Sequence, residues 1–173
     1  NALVVDRVDY PVCQSFLEPQ AWLSLVALTT IAVAAWRVRH RLPAVVVIQH
    51  QYGADKFMEQ MTERFARDGF LAVCPDLYHR DGPDCKDDGP TRRGRARDTN
   101  IINDVNATMA HLRGNKLIDT KRVAILGFCM GGRVAYLMAA ASTDFKAAIT
   151  WYGGSCFRQW GDGPTPFERT AQI

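Results

Sequence analysis

The amino-acid sequence predicts an α/β protein built on a doubly wound, mostly parallel sheet. Three observations support this prediction: short β-branched runs alternate with helical segments from residue 43 onward, the runs are apolar throughout, and a glycine-rich turn joins one run to the helix after it. Strands covered on both faces are continuously apolar, and strand–helix alternation is typical of parallel sheets flanked by helices. The length of 173 residues, with 47% hydrophobic and 23% charged, fits one globular domain.

The first strand–helix–strand unit has a clear local signal for each element. The run AVVVI at 44–48 follows Pro43 and predicts a buried parallel strand. A helix is predicted over 56–67 and ends before Gly69. Its apolar face is formed by Phe57, Met61 and Phe65. The run FLAVC at 70–74 predicts the second strand.

The segment 79–99 is rich in glycine, proline and charges of both signs, and predicts a long loop. Four of its arginines form a cluster: Arg92, Arg93, Arg95 and Arg97. Phosphate binding is one interpretation of this cluster, but a solvated loop with nearby acids is favoured. A helix over 101–112, a strand over 122–126, a helix over 130–141 and a strand over 146–151 complete the alternation.

Residues 21–36 form an uncharged apolar run that is followed by basic residues at 37–41. Sixteen residues are fewer than the ~20 that span a hydrocarbon core. The basic residues follow the apolar run, although in a signal peptide they would precede it. Burial in a globular core is favoured, and membrane attachment through 21–36 stays open as the weaker alternative. We therefore separate an atypical N-terminal region, residues 1–41, from a domain over 42–173.

Charge and cysteine content narrow the possible partners and cofactors. The net charge of +3 comes from scattered residues and does not predict a nucleic-acid partner. The five cysteines are widely spaced, with no Cys-x-x-Cys pair and no Cys/His spacing typical of zinc. The sequence thus predicts no metal site and a reduced, cytoplasmic protein whose cysteines are mostly buried. No feature of it indicates an oligomeric state.

The turn GFCMGG at 127–132 joins the third strand to its helix and predicts a nucleophile elbow with Cys129 as the nucleophile. Gly127 and Gly131 lie where side chains would clash as strand and helix cross. The sulfur is expected at the carboxyl end of the sheet and the amino end of a helix, where the dipole favours a thiolate. The backbone N–H of Met130 can point at a developing oxyanion. A cysteine that only packs the helix against the strand is the alternative.

With these motifs in place, residues 42–154 resemble the dienelactone hydrolase family, a branch of the α/β-hydrolases with Cys in the elbow. The resemblance rests on LPAVVVIQHQYG, FARDGFLAVCPDLYHR, KRVAILGFCMGGRVAYLMAA and ITWYGG. It implies an α/β-hydrolase fold and a Cys-His-Asp triad that hydrolyses a small-molecule ester or lactone. Dienelactone, which is converted to maleylacetate, is the family's known substrate. The resemblance implies no metal or organic cofactor.

The resemblance also implies roles for individual residues. Cys129 is the nucleophile, and the backbone N–H groups of Met130 and Gln51 form the oxyanion hole. Arg80 matches a position that helps hold a substrate carboxylate, which a guanidinium can bind bidentately. An ordinary loop arginine is an equal alternative there. His50 replaces a Glu of the best-known member, so we expect it to line the pocket or to hydrogen-bond the thiol.

The triad Asp and His of the family are implied roughly fifty residues past the elbow and roughly thirty residues further, beyond Ile173. Asp162, His79 and His111 lack the context to replace them. We therefore expect an incomplete α/β-hydrolase, without its C-terminal strands, that is inactive alone. Two alternatives remain: a catalytically inactive α/β-hydrolase-like binding domain, and a membrane-anchored hydrolase.

Overall fold

The computed structural model describes residues 19–39 and 41–173, and the chain divides into two units, residues 1–40 and 41–173. In the first unit, helix α1 spans Pro19–Arg39. Its large apolar side chains are more than half exposed: Trp22, Leu23, Leu25, Val26, Leu28, Ile31, Val33 and Trp36. The expectation that 21–36 is buried in a core is therefore wrong for these eight side chains. Cys13 lies outside the described residues.

No helix in the described ranges is long and apolar enough to cross a membrane. This statement covers helix α1 and every helix of the second unit. The predicted alternative of attachment through 21–36 is not tested further by the structure.

The second unit contains a four-stranded sheet in the order β2-β1-β3-β4, with every neighbouring pair parallel. The strands are β1 Leu42–Ile48, β2 Leu71–Val73, β3 Ile118–Phe128 and β4 Ala147–Trp151. The helices are α2 Lys56–Arg67, α3 Gly89–Gly94, α4 Asp98–Arg113 and α5 Met130–Ala141. The predicted parallel α/β architecture is confirmed.

Two apolar cores cover the two faces of the sheet. Alternate residues of β1 contribute to each core, with Val46 and Ile48 on one side and Val45 and Val47 on the other. The first core includes the predicted stripe of α4: Ile101, Val105, Met109 and Leu112. On the second, α2 contributes the fully buried Met58. The continuous AVVVI run is thus explained by burial on both faces of a central strand.

The prediction of a long loop over 79–99 is wrong in its middle and at its end. A short 3₁₀ helix spans His79–Asp81, helix α3 spans Gly89–Gly94, and α4 begins at Asp98. The Asp88 side chain accepts the Thr91 N–H and caps α3. Local capping thus outweighs the glycine and proline content of the segment.

Strand order explains where a site can form. The chain moves from β1 to β2 on one side and later to β3 on the other, so its direction reverses at β1. Residues Ile48 and Gly127 are paired at the carboxyl ends of β1 and β3. Ligands of open α/β sheets bind in the crevice outside such a reversal.

Candidate active site

Cys129 lies between the end of β3 and the start of α5, with φ of 54° and ψ of −113°. This positive φ is a strained conformation for a residue with a side chain. Two backbone hydrogen bonds hold it: the Cys129 N–H donates to the Trp151 carbonyl at 3.0 Å, and the Cys129 carbonyl accepts from the Arg133 N–H at 3.2 Å. The turn therefore presents the thiol at the amino end of α5.

Glycines allow the strand and the helix to cross in backbone contact. A Cβ on Gly127 would lie 2.0 Å from the Gly131 carbonyl oxygen. A Cβ on Gly131 would lie 2.3 Å from the Ile48 carbonyl oxygen. Neither contact is possible for a side chain, so the two glycines are required for the sharp turn at Cys129.

The two residues expected to form the oxyanion hole are joined through Tyr78. Met130 is the first residue of α5, so its N–H has no acceptor within the helix. The Tyr78 hydroxyl donates to the Gln51 carbonyl at 3.0 Å and lies 3.2 Å from the Met130 sulfur. Burial raises the pKa of Tyr78 to about 12, against the opposing effect of Arg92 and Arg93. The hydroxyl therefore keeps its proton at neutral pH and can donate.

Helix α3 fixes the Gln51 turn from the opposite side. The Arg93 guanidinium donates to the Gln51 side-chain oxygen at 2.8 Å. A Cβ on Gly89 would lie 2.7 Å from the Gln51 carbonyl oxygen. Tyr78 and Arg93 were not among the site residues predicted from the sequence. The PDLY motif was the signal for Tyr78, whereas the contact of Arg93 depends on a helix that was predicted as loop.

His50 lies directly after the Gln49 that follows β1, and its side chain is 14% exposed. Its Nδ1 accepts the Tyr52 N–H at 3.1 Å, and its Nε2 lies 3.3 Å from an Asp55 carboxylate oxygen. This pattern fits a proton on Nε2. Both ring nitrogens are occupied, so neither is available as a base for Cys129. The ring also stacks on Phe57, with centroids 5.9 Å apart.

Arg80 lies in the 3₁₀ helix after β2 and is paired with Asp104 of α4. Its two terminal nitrogens each donate to an Asp104 oxygen at 2.6 Å. His79 lies 3.3 Å from the same carboxylate. The structure thus gives the guanidinium of Arg80 a carboxylate from the chain itself.

A model of the dienelactone hydrolase family matches residues 29–171. The chain belongs to the dienelactone hydrolase family. The resemblance observed in the sequence is thereby confirmed. The match begins inside the N-terminal region 1–41 and runs through the elbow at Cys129.

Individual family members agree with this result. The carboxymethylenebutenolidase of Pseudomonas sp. (strain P51) is 37% identical over 124 residues, which are 66% of this chain and 51% of that protein. A candidate carboxymethylenebutenolidase of Yersinia pestis is 38% identical over 117 residues, 64% of this chain and 43% of that protein. The chain therefore spans about half the length of the curated relatives it matches.

A solved structure supports the fold. The crystal structure of a candidate dienelactone hydrolase from Klebsiella pneumoniae matches with a TM-score of 0.68 and 30% identity, covering 76% of this chain and 57% of that one. Together with the family match, this likeness confirms the α/β-hydrolase fold class.

The other cysteines of this family member differ from Cys129 in their surroundings. Cys74, Cys85, Cys129 and Cys156 are all free and all partly exposed, which corrects the expectation that the cysteines are mostly buried. Burial, followed by the charges of Asp76 and Asp55, raises the pKa of Cys74 to about 11. Burial also raises the pKa of Cys156, against the effect of Arg133. Both thiols are therefore held in the protonated, unreactive form at neutral pH.

Aromatic rings flank Cys129. Phe128 precedes Cys129 and contacts three rings, with centroids 5.4 Å from Phe57, 6.0 Å from Trp151 and 6.4 Å from Tyr152. The last two rings are more than half exposed. This wall can cover the apolar part of an acyl group that reaches the thiol. In the ranges the structure describes, no cluster of three His, Cys, Asp or Glu side chains is arranged to hold a metal ion.

Proposed function

We propose that this chain carries the nucleophile of a cysteine-dependent hydrolase of ester or lactone bonds. The observation that supports the proposal best is the strained turn at Cys129, which presents a thiol at the amino end of α5. The backbone N–H groups of Met130 and Gln51 are the proposed oxyanion hole, and the Tyr78 hydroxyl contacts both residues, at the Gln51 carbonyl and the Met130 sulfur. The names of the relatives support an activity like that of carboxymethylenebutenolidase.

In the proposed mechanism, the catalytic base first takes the thiol proton of Cys129. The thiolate then attacks the acyl carbon, and the carbonyl π electrons move to the oxygen. The N–H groups of Met130 and Gln51 stabilise this oxyanion. Collapse of the intermediate breaks the bond to the alkoxide, which takes a proton from the catalytic base, and leaves a thioester. Water then attacks the thioester with help from the same base, and the acid and the thiol are released.

The base and its orienting carboxylate are proposed to be a His and an Asp beyond residue 173. The occupied ring nitrogens of His50 support this, as does the pairing of His79 with Asp104. All five residues of β4, one of the two edge strands of the sheet, are exposed, which is consistent with further strands covering it. Without the base, we expect residues 1–173 alone to be slower by several powers of ten.

The proposed substrate is a small-molecule ester or lactone, with His50 and Arg80 in the binding pocket. Arg80 would exchange the Asp104 carboxylate for that of the substrate. No nucleic-acid partner is proposed. A cytoplasmic location is proposed and is supported by the four free thiols among the described residues. The division into residues 1–41 and a hydrolase domain over 42–173 remains part of the proposal.

Acyl transfer to the protein tests the proposal without requiring turnover. We would incubate the chain with p-nitrophenyl acetate and locate the acetyl group by peptide mass spectrometry. Cys129 should be acetylated first, and Cys129→Ala should abolish the fast release of p-nitrophenol. Cys85→Ala is the matched control and should keep it. Equal acetylation of all cysteines would reject Cys129 as the nucleophile.

A further inference from the structure

A groove between α3, the start of α4 and the loop after β4 carries an unneutralised positive charge. Its volume is about 700 Å³, and its charged lining residues are Arg93, Arg97, Arg158 and Asp162. We propose that this groove binds a small dianion, such as the phosphate group of a small molecule. The proposal goes beyond the hydrolase function and does not depend on Cys129.

The arginines of the groove differ from their neighbours in their pairing. Arg92 and Arg95 are paired with the Asp81 carboxylate at 2.9 and 3.1 Å. In the part of the chain that the structure describes, Arg93, Arg97 and Arg158 form no ion pair with a carboxylate. The side-chain hydrogen bonds of Arg93 and Arg97 are to neutral partners: Arg93 donates to the Gln51 amide oxygen, and Arg97 donates to backbone carbonyls. A guanidinium has five N–H donors, so most of theirs remain for a ligand.

A buried ion pair holds the walls of the groove in place. Arg133 is fully buried and binds both Asp98 oxygens, at 2.6 and 2.9 Å. Asp98 follows Arg97 directly, which fixes the first wall. The same guanidinium donates to the Arg158 carbonyl at 2.9 Å and lies 3.9 Å from the centre of the Trp160 ring, which fixes the second. The arginine backbones are thus positioned before any ligand arrives, which lowers the entropic cost of binding.

Charge selects the class of ligand. Three guanidinium groups and the single carboxylate of Asp162 leave a net charge of +2 in the groove. A phosphate monoester carries about −1.5 to −2 near neutral pH and neutralises this charge, whereas a monocarboxylate neutralises half of it. Guanidinium groups also match the oxygen geometry of phosphate. A solvated loop was the favoured interpretation of the arginine cluster at 92–97. The cluster instead divides in two: Arg92 and Arg95 pair with Asp81, whereas Arg93 and Arg97 line the groove.

Isothermal titration calorimetry of the full chain tests the proposal, with inorganic phosphate as the probe and with acetate and chloride at matched ionic strength. Phosphate should bind measurably and more tightly than acetate, and chloride should give no binding. Arg158→Gln should weaken phosphate binding about tenfold or more, since a hydrogen bond to a charged group is lost. The control is Arg64→Gln on α2, which removes one charge on the opposite face of the sheet and should leave binding unchanged.

Three results would overturn the proposal. Equal weakening by Arg158→Gln and Arg64→Gln would mean that phosphate responds only to overall charge, as would indistinguishable heats from the three anions. Alkylation of Cys129 should leave phosphate binding unchanged, and loss of binding on alkylation would place the anion at the elbow instead. None of these measurements depends on hydrolysis, so they test the groove even if the hydrolase proposal fails.

Discussion

Cys74 and Cys129 both lie at the carboxyl ends of parallel strands, on the same edge of one sheet, but the backbone around them differs. Cys74 follows β2 and precedes Pro75, and burial beside Asp76 raises its pKa to about 11. Cys129 follows β3 in a strained turn and opens helix α5. We propose that position on the sheet edge is not enough for a reactive thiol and that the backbone after each strand makes the difference.

The largest expected effect comes from adding a side chain where the backbones of β3 and α5 cross next to Cys129. Gly127→Ala places a Cβ 2.0 Å from a backbone oxygen of the helix, which cannot yield as a flexible side chain would. We expect a loss above about 4 kcal/mol, enough to prevent folding, measured by circular dichroism in urea. Gly154→Ala is the control, since nothing lies within 4 Å of its Cβ. Equal unfolding midpoints for the two variants would contradict this account of the elbow.

The next effect concerns the buried arginine four residues after Cys129, which has no counterpart near Cys74. Arg133→Met leaves the buried Asp98 carboxylate unpaired, and we expect a loss of about 3–5 kcal/mol in urea unfolding. Arg113→Met breaks the exposed pair with Asp144 and should cost no more than about 1 kcal/mol. If both variants lose the same stability, the buried pair does not hold the loop after β4.

A smaller effect is expected from the Tyr78 hydroxyl, which contacts both residues of the proposed oxyanion hole. Tyr78→Phe removes the hydrogen bond to the Gln51 carbonyl and should cost about 0.5–1.5 kcal/mol of stability. Acetylation of Cys129 by p-nitrophenyl acetate should also slow several-fold, because the Gln51 backbone is less well positioned. Tyr136→Phe, whose hydroxyl contacts Thr170, is the control and should leave acetylation unchanged. An unchanged rate in Tyr78→Phe would remove Tyr78 from the site.

The smallest effect is a pH dependence at Cys74. Its pKa is about 11 in the folded protein against an ordinary value of 9.0, so the unfolded chain loses this proton first. The free energy of unfolding should therefore fall as pH rises from about 9 to about 11. Cys74→Ala should remove this part of the slope, and Cys85→Ala should retain it. If the free energies of unfolding of the wild type and Cys74→Ala change in parallel across this pH range, the pKa of Cys74 is not raised by folding.

Elements with regular apolar spacing could be predicted from the sequence. The helices over 56–67 and 130–141 were predicted with the bounds that the structure has, because their signals are local. Helix α3 was missed because it is only six residues long. It also lies in a segment whose glycines, prolines and mixed charges are typical of a loop. Strand β3 begins at Ile118, four residues earlier than predicted, because the polar residues Asp119, Thr120 and Lys121 interrupt the apolar run.

The site was predictable where its residues are contiguous. GFCMGG identified Cys129 and Met130 because the elbow depends on glycines within one turn. The contacts that position Gln51 could not be predicted, since Tyr78 and Arg93 are 27 and 42 residues away. The pairing of Arg80 with Asp104 depends on the packing of α4 in the same way.

Labelling with limiting iodoacetamide at pH 8 tests most directly whether the elbow makes Cys129 reactive. Peptide mass spectrometry would give the separate rates for Cys129 and Cys74 in the folded chain and in urea. We predict labelling of Cys129 at least about tenfold faster than Cys74 when folded, since a pKa of about 11 leaves Cys74 about one thousandth ionised. The two rates should converge in urea. Equal rates in the folded chain would contradict the central claim that the turn at Cys129 creates the nucleophile.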